Sequence, residues 1–177
     1  MTFSANVELL SKILDFFIEA IEPIKNIPGM FPSFVMQPMT QIARANRHKN
    51  GGSPFGIREE DGPLISQSFG LLLPQPFRPG ESKLTLTNAV LSISPQWSNA
   101  EDDVTVQDAF TRFMDRSVAL AKEMGLHHPF IYQNYANISQ DVFGGYGEEN
   151  RQKLRNIQGR YDPERIFDKL QPGYFKL

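Results

Sequence analysis

The chain contains no cysteine, which excludes disulfide staples, thiolate metal centres and cysteine nucleophiles and leaves the redox compartment undefined by thiol usage. Nor is there an excess of positive charge. Lys and Arg number 18 against 20 Asp and Glu, the formal net charge is -2 and the pI is near 5.9. General nucleic-acid or membrane-surface binding needs a concentrated basic face, so neither is expected. Long apolar runs are missing as well. Within residues 1–30, Glu8, Asp15, Glu19 and Glu22 interrupt the apolar pattern, which argues against a signal-peptide core or a membrane span. The expectation is a soluble intracellular protein, unless a short product of a longer gene has lost its targeting segment.

Several chemical motifs are absent too. There is no Walker loop and no serine in a nucleophile-elbow context. Of the three histidines, His127 and His128 are adjacent before Pro129, and His48 lies in a basic stretch. Adjacent side chains on an extended chain point apart, and no carboxylate shares a helix face with them at ligand spacing. They read as loop residues rather than zinc ligands. Glu101, Asp102 and Asp103 lack the alternation and glycine of a calcium loop and read as helix caps. No metal site is expected.

What is present is enough for a core. The 177 residues, 40% hydrophobic, suit one domain or a domain with an appendage. Val7, Leu10, Leu14, Phe17 and Ile21 recur at helical spacing, with Ser4 as an N-cap candidate and Pro23 as a stop. This pattern predicts a helix over residues 5–22. A turn follows at 26–30, then a short strand from Ser33 to Gln37 ending at Pro38. Thr40 is a candidate cap for a brief helix carrying Ile42 and Ala45. Residues 47–56 read as loop. Residues 66–83, with three prolines between Pro74 and Pro79, read as an exposed loop. Val90 to Trp97 reads as a strand broken near Pro95. Val106, Phe110, Phe113, Leu120 and Met124 mark a helix of about five turns, with Gly125 as its C-cap.

Past Pro129, Phe130, Ile131, Tyr132 and Tyr135 suit a strand. Its pleat would send Tyr132 and Asn134 to one face and Gln133 and Tyr135 to the other. Gly144 and Gly145 break the chain before a helix from about Gly147. That helix has Glu148 and Glu149 at its positive end, Leu154 and Ile157 as its buried residues and Gly159 as a candidate C-cap. Asp162-Pro163 starts a turn into Ile166 and Phe167. The fold class is therefore α+β: an antiparallel or mixed sheet covered by helices, with a C-terminal strand-helix tail.

Three spaced segments resemble one known family. Ile131-Tyr132-Gln133-Asn134-Tyr135-Ala136-Asn137, then Tyr146-Gly147-Glu148, then Tyr161-Asp162-Pro163 look like the C-terminal signature of the berberine-bridge-type FAD-linked oxidoreductases. Gly51-Gly52-Ser53-Pro54-Phe55-Gly56-Ile57 resembles a further segment of that family, with Ser53 where Asn is usual. As a Gly-Gly pair alone it is a turn and no phosphate cradle. Trp97-Ser98-Asn99-Ala100-Glu101-Asp102 and the final Gln171-Pro172-Gly173-Tyr174-Phe175-Lys176-Leu177 fit as well. The resemblance divides the chain into a partial substrate-binding domain at 1–126 and a berberine-bridge-like segment at 127–177. Residues 66–89 look inserted, either as a lineage-specific loop or as an unspliced intron; sequencing the transcript separates the two.

The resemblance implies that Tyr135 lies at a flavin and serves as proton acceptor, while Tyr132 and Asn134 help hold the cofactor. A phenol with an ordinary pKa near 10 is a poor base at neutral pH unless its surroundings stabilise phenolate. From the residues alone, both tyrosines are equally amphipathic strand residues with satisfied hydroxyls. The cofactor implied is FAD, but the chain has no pyrophosphate loop and is not expected to bind FAD alone. Three functions stay open. One is a truncated or split oxidoreductase acting on an alcohol or oxidisable natural product in secondary metabolism, with an FAD-binding-domain partner. The second is a flavin-independent cyclase or isomerase using the substrate pocket. The third is a non-catalytic binding remnant, with a homodimer as its expected form. The 14 phenylalanines suit an aromatic pocket and a plain core equally.

Overall fold

The computed structural model describes residues 1–38, 53–57, 88–171, 173 and 175–177. Among them, β1 (Thr2–Ser4), β2 (Phe34–Pro38), β3 (Asn88–Ile93) and β4 (His127–His128) form a sheet in the order β2-β3-β1-β4. Every pairing is antiparallel. The helices are α1 (Val7–Ile21), α2 (Asp103–Glu123), α3 (Glu148–Tyr161) and α4 (Ile166–Leu170). The α+β expectation holds, with the sheet antiparallel throughout. The candidate helix at Thr40, the Gly51-Gly52 turn and the loop at 66–83 lie outside the described residues.

Helix α1 starts later than Ser4, which belongs to β1. Its cap is Asn6, whose Oδ1 accepts the Leu9 N–H at 2.9 Å. The buried face is also different: Leu9, Ile13 and Phe17 are inside, whereas Val7 is 82% exposed and Leu14 47%. Two apolar stripes run along this helix, so spacing alone cannot choose between them; the direction in which β1 delivers the chain decides. Phe17 meets Phe34 of β2 at 4.8 Å between centroids and Phe113 of α2 edge-on at 5.7 Å. These rings bind sheet and both helices into one core.

Helix α2 buries Val106, Ala109, Phe110, Phe113 and Ala121, close to expectation. Buried Ser117 is accommodated because its hydroxyl donates to the Phe113 carbonyl at 2.8 Å. The stop at Gly125 is a Schellman motif. Gly125 has φ 66°, its N–H donates to the Lys122 carbonyl at 3.0 Å, and the Leu126 N–H donates to the Ala121 carbonyl at 2.8 Å. The acidic run before α2 does not cap it. Asp103 Oδ1 instead accepts the Trp97 indole N–H at 2.7 Å, pinning the end of the β3 extension to the helix.

Beyond α2 the expected strand is corrected. His127 and His128 are not loop residues: they form β4, pairing with Phe3 and Thr2. The strand ends there. Residues 133–135 close a 3-10 turn instead of continuing a strand, because Pro129 lacks an N–H for the ladder and the chain must turn over the sheet edge. Phe130, Val142 and Tyr146 form a second buried cluster, joined by Phe55, Leu154 and Phe175. Gly56 sits under it so closely that a Cβ would lie 2.0 Å from the Tyr146 carbonyl oxygen, at φ 66°. The two clusters meet where buried Thr2 donates its hydroxyl to the Phe130 carbonyl.

Two expectations for α3 also change. Gly159 is inside the helix, which runs on to Tyr161, and Ile157 is exposed, while Leu154 packs on the second cluster. Asp162 does make the expected turn. Its carboxylate accepts the Ile166 N–H at 2.7 Å and the Phe167 N–H at 3.1 Å, starting α4.

Candidate functional site

A cleft of about 710 Å³ lies between α2, the strand extension and the loop at 131–140. One wall is a face of α2 at the margin of the core, and its sequence spacing explains its chemistry. Val106, Phe110 and Met114 recur every fourth residue and form an apolar row; Gln107, Thr111 and Asp115 form a polar row beside it. Trp97 and Pro95 contribute to the floor, and the opposite wall comes from Ile131, Tyr132, Tyr135 and the turn at 137–140.

The 3-10 turn changes which residues meet. A strand would have separated Tyr132 from Tyr135; the turn places residues three apart on one side, and their rings lie 5.2 Å apart at 58°. Both tyrosines line the cleft. Asn134 does not. It is exposed, and its amide donates to the Tyr132 hydroxyl at 2.9 Å, so it positions that phenol from outside.

Behind Tyr132 stands Tyr146, 3% exposed, with Phe55 and Phe143 ring centroids 5.4 and 5.6 Å away. Burial pushes its phenol above the ordinary value of 10, and nearby Tyr132 adds to the rise. Tyr146 is therefore a neutral support for the wall. The rim is held by its own side chains. Asn137 Oδ1 accepts from the Ser139 N–H at 3.0 Å and the Ser139 hydroxyl at 2.9 Å, and Gln140 Oε1 accepts the Asn137 N–H at 2.8 Å.

Sequence reasoning missed the polar row of α2 and the rim residues Asn137, Ser139 and Gln140. The row was readable as a fourth-residue repeat of polar side chains flanking the apolar one. Its facing a cleft was not readable, since an exposed polar stripe is ordinary on any surface helix. Among the described residues no three His, Cys, Asp or Glu converge as a metal site. Among them also, no helix is long and apolar enough to cross a membrane.

The chain resembles part of several longer fungal proteins. An FAD-dependent monooxygenase of Cochliobolus heterostrophus is 34% identical over 181 residues, spanning 99% of this chain and 30% of that protein. A second FAD-dependent monooxygenase, from Fusarium proliferatum, is 33% identical over the same span of both. A protein of Diaporthe leptostromiformis named oligopeptidase is 38% identical over all of this chain, which covers 13% of it. No family model and no solved structure matches. The likeness to the two monooxygenases supports an FAD-linked enzyme family; this chain spans 30% of the length of each of the two.

Proposed function

We propose that this chain is the substrate-side portion of an FAD-linked oxidoreductase of berberine-bridge type, acting on an alcohol or other oxidisable natural product. The observation that carries the reading is the pairing of Tyr132 and Tyr135 at 5.2 Å on the wall of the 710 Å³ cleft. Tyr135 is the candidate proton acceptor for a substrate hydroxyl. Tyr132, held by Asn134, orients the ligand beside it.

Whole FAD does not fit the described residues of this cleft. A diphosphate calls for cationic side chains or converging backbone N–H groups, whereas Asp115 is the only charged side chain on the described lining. FAD is accordingly assigned to a separate FAD-binding partner segment. The purified chain, desalted after incubation with FAD, is expected to show no stoichiometric flavin absorbance. Mixing it with a separately expressed FAD-binding segment of a relative is expected to give flavin-dependent oxidation. Tyr135→Phe should lower the rate about a hundredfold or more, with KM little changed. Full activity of Tyr135→Phe, or none in the reconstituted mixture, would remove the proposal.

A second reading is a flavin-independent cyclase or isomerase, in which the apolar and aromatic lining of the cleft holds a substrate in its reacting conformation. Turnover by a flavin-free sample would select it over the first.

A further inference from the structure

The cleft lining specifies a kind of ligand more narrowly than the tyrosines do. Gln107, Thr111 and Asp115 follow one another every four residues along α2, so the polar row climbs about 6 Å per step and about 12 Å in all. Beside it half-buried Met114 continues the row of buried Val106 and Phe110, and aromatic surface faces it from Tyr132, Tyr135 and Trp97. A molecule lying along α2 thus meets apolar and aromatic surface over its faces and hydrogen-bonding groups along one edge. The charge pattern is one-sided. Asp115 at the end of the row is a carboxylate, no Lys, Arg or His stands among the described lining residues, and burial lowers the amino group of Met1, which also lines the cleft, to about 6, leaving it mainly neutral at pH 7.

We propose that the cleft takes an uncharged, hydroxylated aromatic molecule extended along α2, with a hydroxyl donating to Asp115, and that Asp115 is the residue that rejects anionic molecules of the same shape. A carboxylate accepts hydrogen bonds only, so it favours a phenol or alcohol donor and repels a carboxylate or sulfonate placed against it. Gln107 and Thr111, which both donate and accept, serve hydroxyls further along the edge without fixing their sign. The inference rests on the reading of this cleft as the substrate's side. It is tested without flavin or turnover, so failure of one is separable from failure of the other.

Trp97 is the only tryptophan and forms part of the floor, so its single indole N–H resonance in a nitrogen-15-labelled sample reports binding in this cleft. The probes are 2,7-dihydroxynaphthalene and naphthalene-2,7-disulfonate, matched in ring system and opposite in charge character. The diol is expected to shift the Trp97 resonance saturably, and the disulfonate to bind at least about tenfold more weakly. In Asp115→Asn the diol should lose affinity and the disulfonate gain it, shrinking the ratio about three- to tenfold. A Gln107→Ala control should weaken the diol while keeping the discrimination against the disulfonate. Equal binding of both probes by the unaltered chain, an unchanged ratio in Asp115→Asn, or an unmoved Trp97 resonance would each overturn the proposal. The signal of Trp97 also reports folding of each variant, because its N–H is held by Asp103.

Discussion

Phe113 shows how one residue's placement carries the packing of the core. It is 1% exposed and meets Phe17 at 5.7 Å and Phe34 at 6.4 Å, touching helix α1 and strand β2 at once. Truncation leaves a cavity between three elements that cannot all close on it. Phe113→Ala is expected to lower unfolding free energy by about 3–5 kcal/mol, read from the midpoint of urea denaturation at unchanged slope. A loss under about 1 kcal/mol would mean the neighbouring rings collapse into the gap. The residue was legible as core from its helical spacing with Val106 and Phe110. Its ring partners were not, since nothing in the sequence brings positions 17 and 34 to 113.

Local motifs with self-contained hydrogen bonds were the most readable elements. Gly125 ends α2 because the closing bonds to Lys122 and Ala121 involve residues within five positions and need a positive φ. Asp162 starts α4 for the same kind of reason. Removing its carboxylate in Asp162→Ala should leave the Ile166 and Phe167 amides without their acceptors. The expected outcome is a loss of about 1 kcal/mol and selective loss of hydrogen-exchange protection at those two amides, with the core of α2 unaffected. Protection retained at both would show that α4 is held by its side chains instead. The tyrosine segment went the other way. Its β-branched and aromatic composition suits a strand, yet with β4 ending at His128 no neighbouring strand among the described residues pairs with residues 130–135, and the chain closes a 3-10 turn.

At the scale of the whole molecule, the short strand β4 joins the two buried clusters. It pairs with β1, and the chain beyond it is tied back by the Thr2 to Phe130 hydrogen bond. Half-buried His127 lies in this seam. Burial first, then the charges of Lys122, the chain's amino terminus and His128, hold its imidazole below the ordinary 6.5. The folded protein therefore binds this proton more weakly than the unfolded chain does. The stability contributed by neutral His127 is fully present above pH 6.5 and is lost as the pH falls through the lowered folded-state value. The urea midpoint should decrease across that interval, and His127→Gln should flatten the decrease. A midpoint that rises as pH falls, or a slope unchanged in His127→Gln, would contradict the placement of this residue.

Composition and periodicity were sufficient for the α+β class, and for α2 with its glycine stop and the Asp162 turn, because the last two depend on the chain's own bonds within a few residues. The three motifs also marked Tyr132, Asn134 and Tyr135 as one constellation. Which stripe of α1 goes inside, that Tyr132 and Tyr135 share a wall while Asn134 stands outside it, and that Gln107, Thr111 and Asp115 face a cleft all depend on packing between segments far apart in the sequence. Antiparallel pairing of β1 with β4 and the break in the ladder at Pro129 set those directions, and neither has a signature in local spacing.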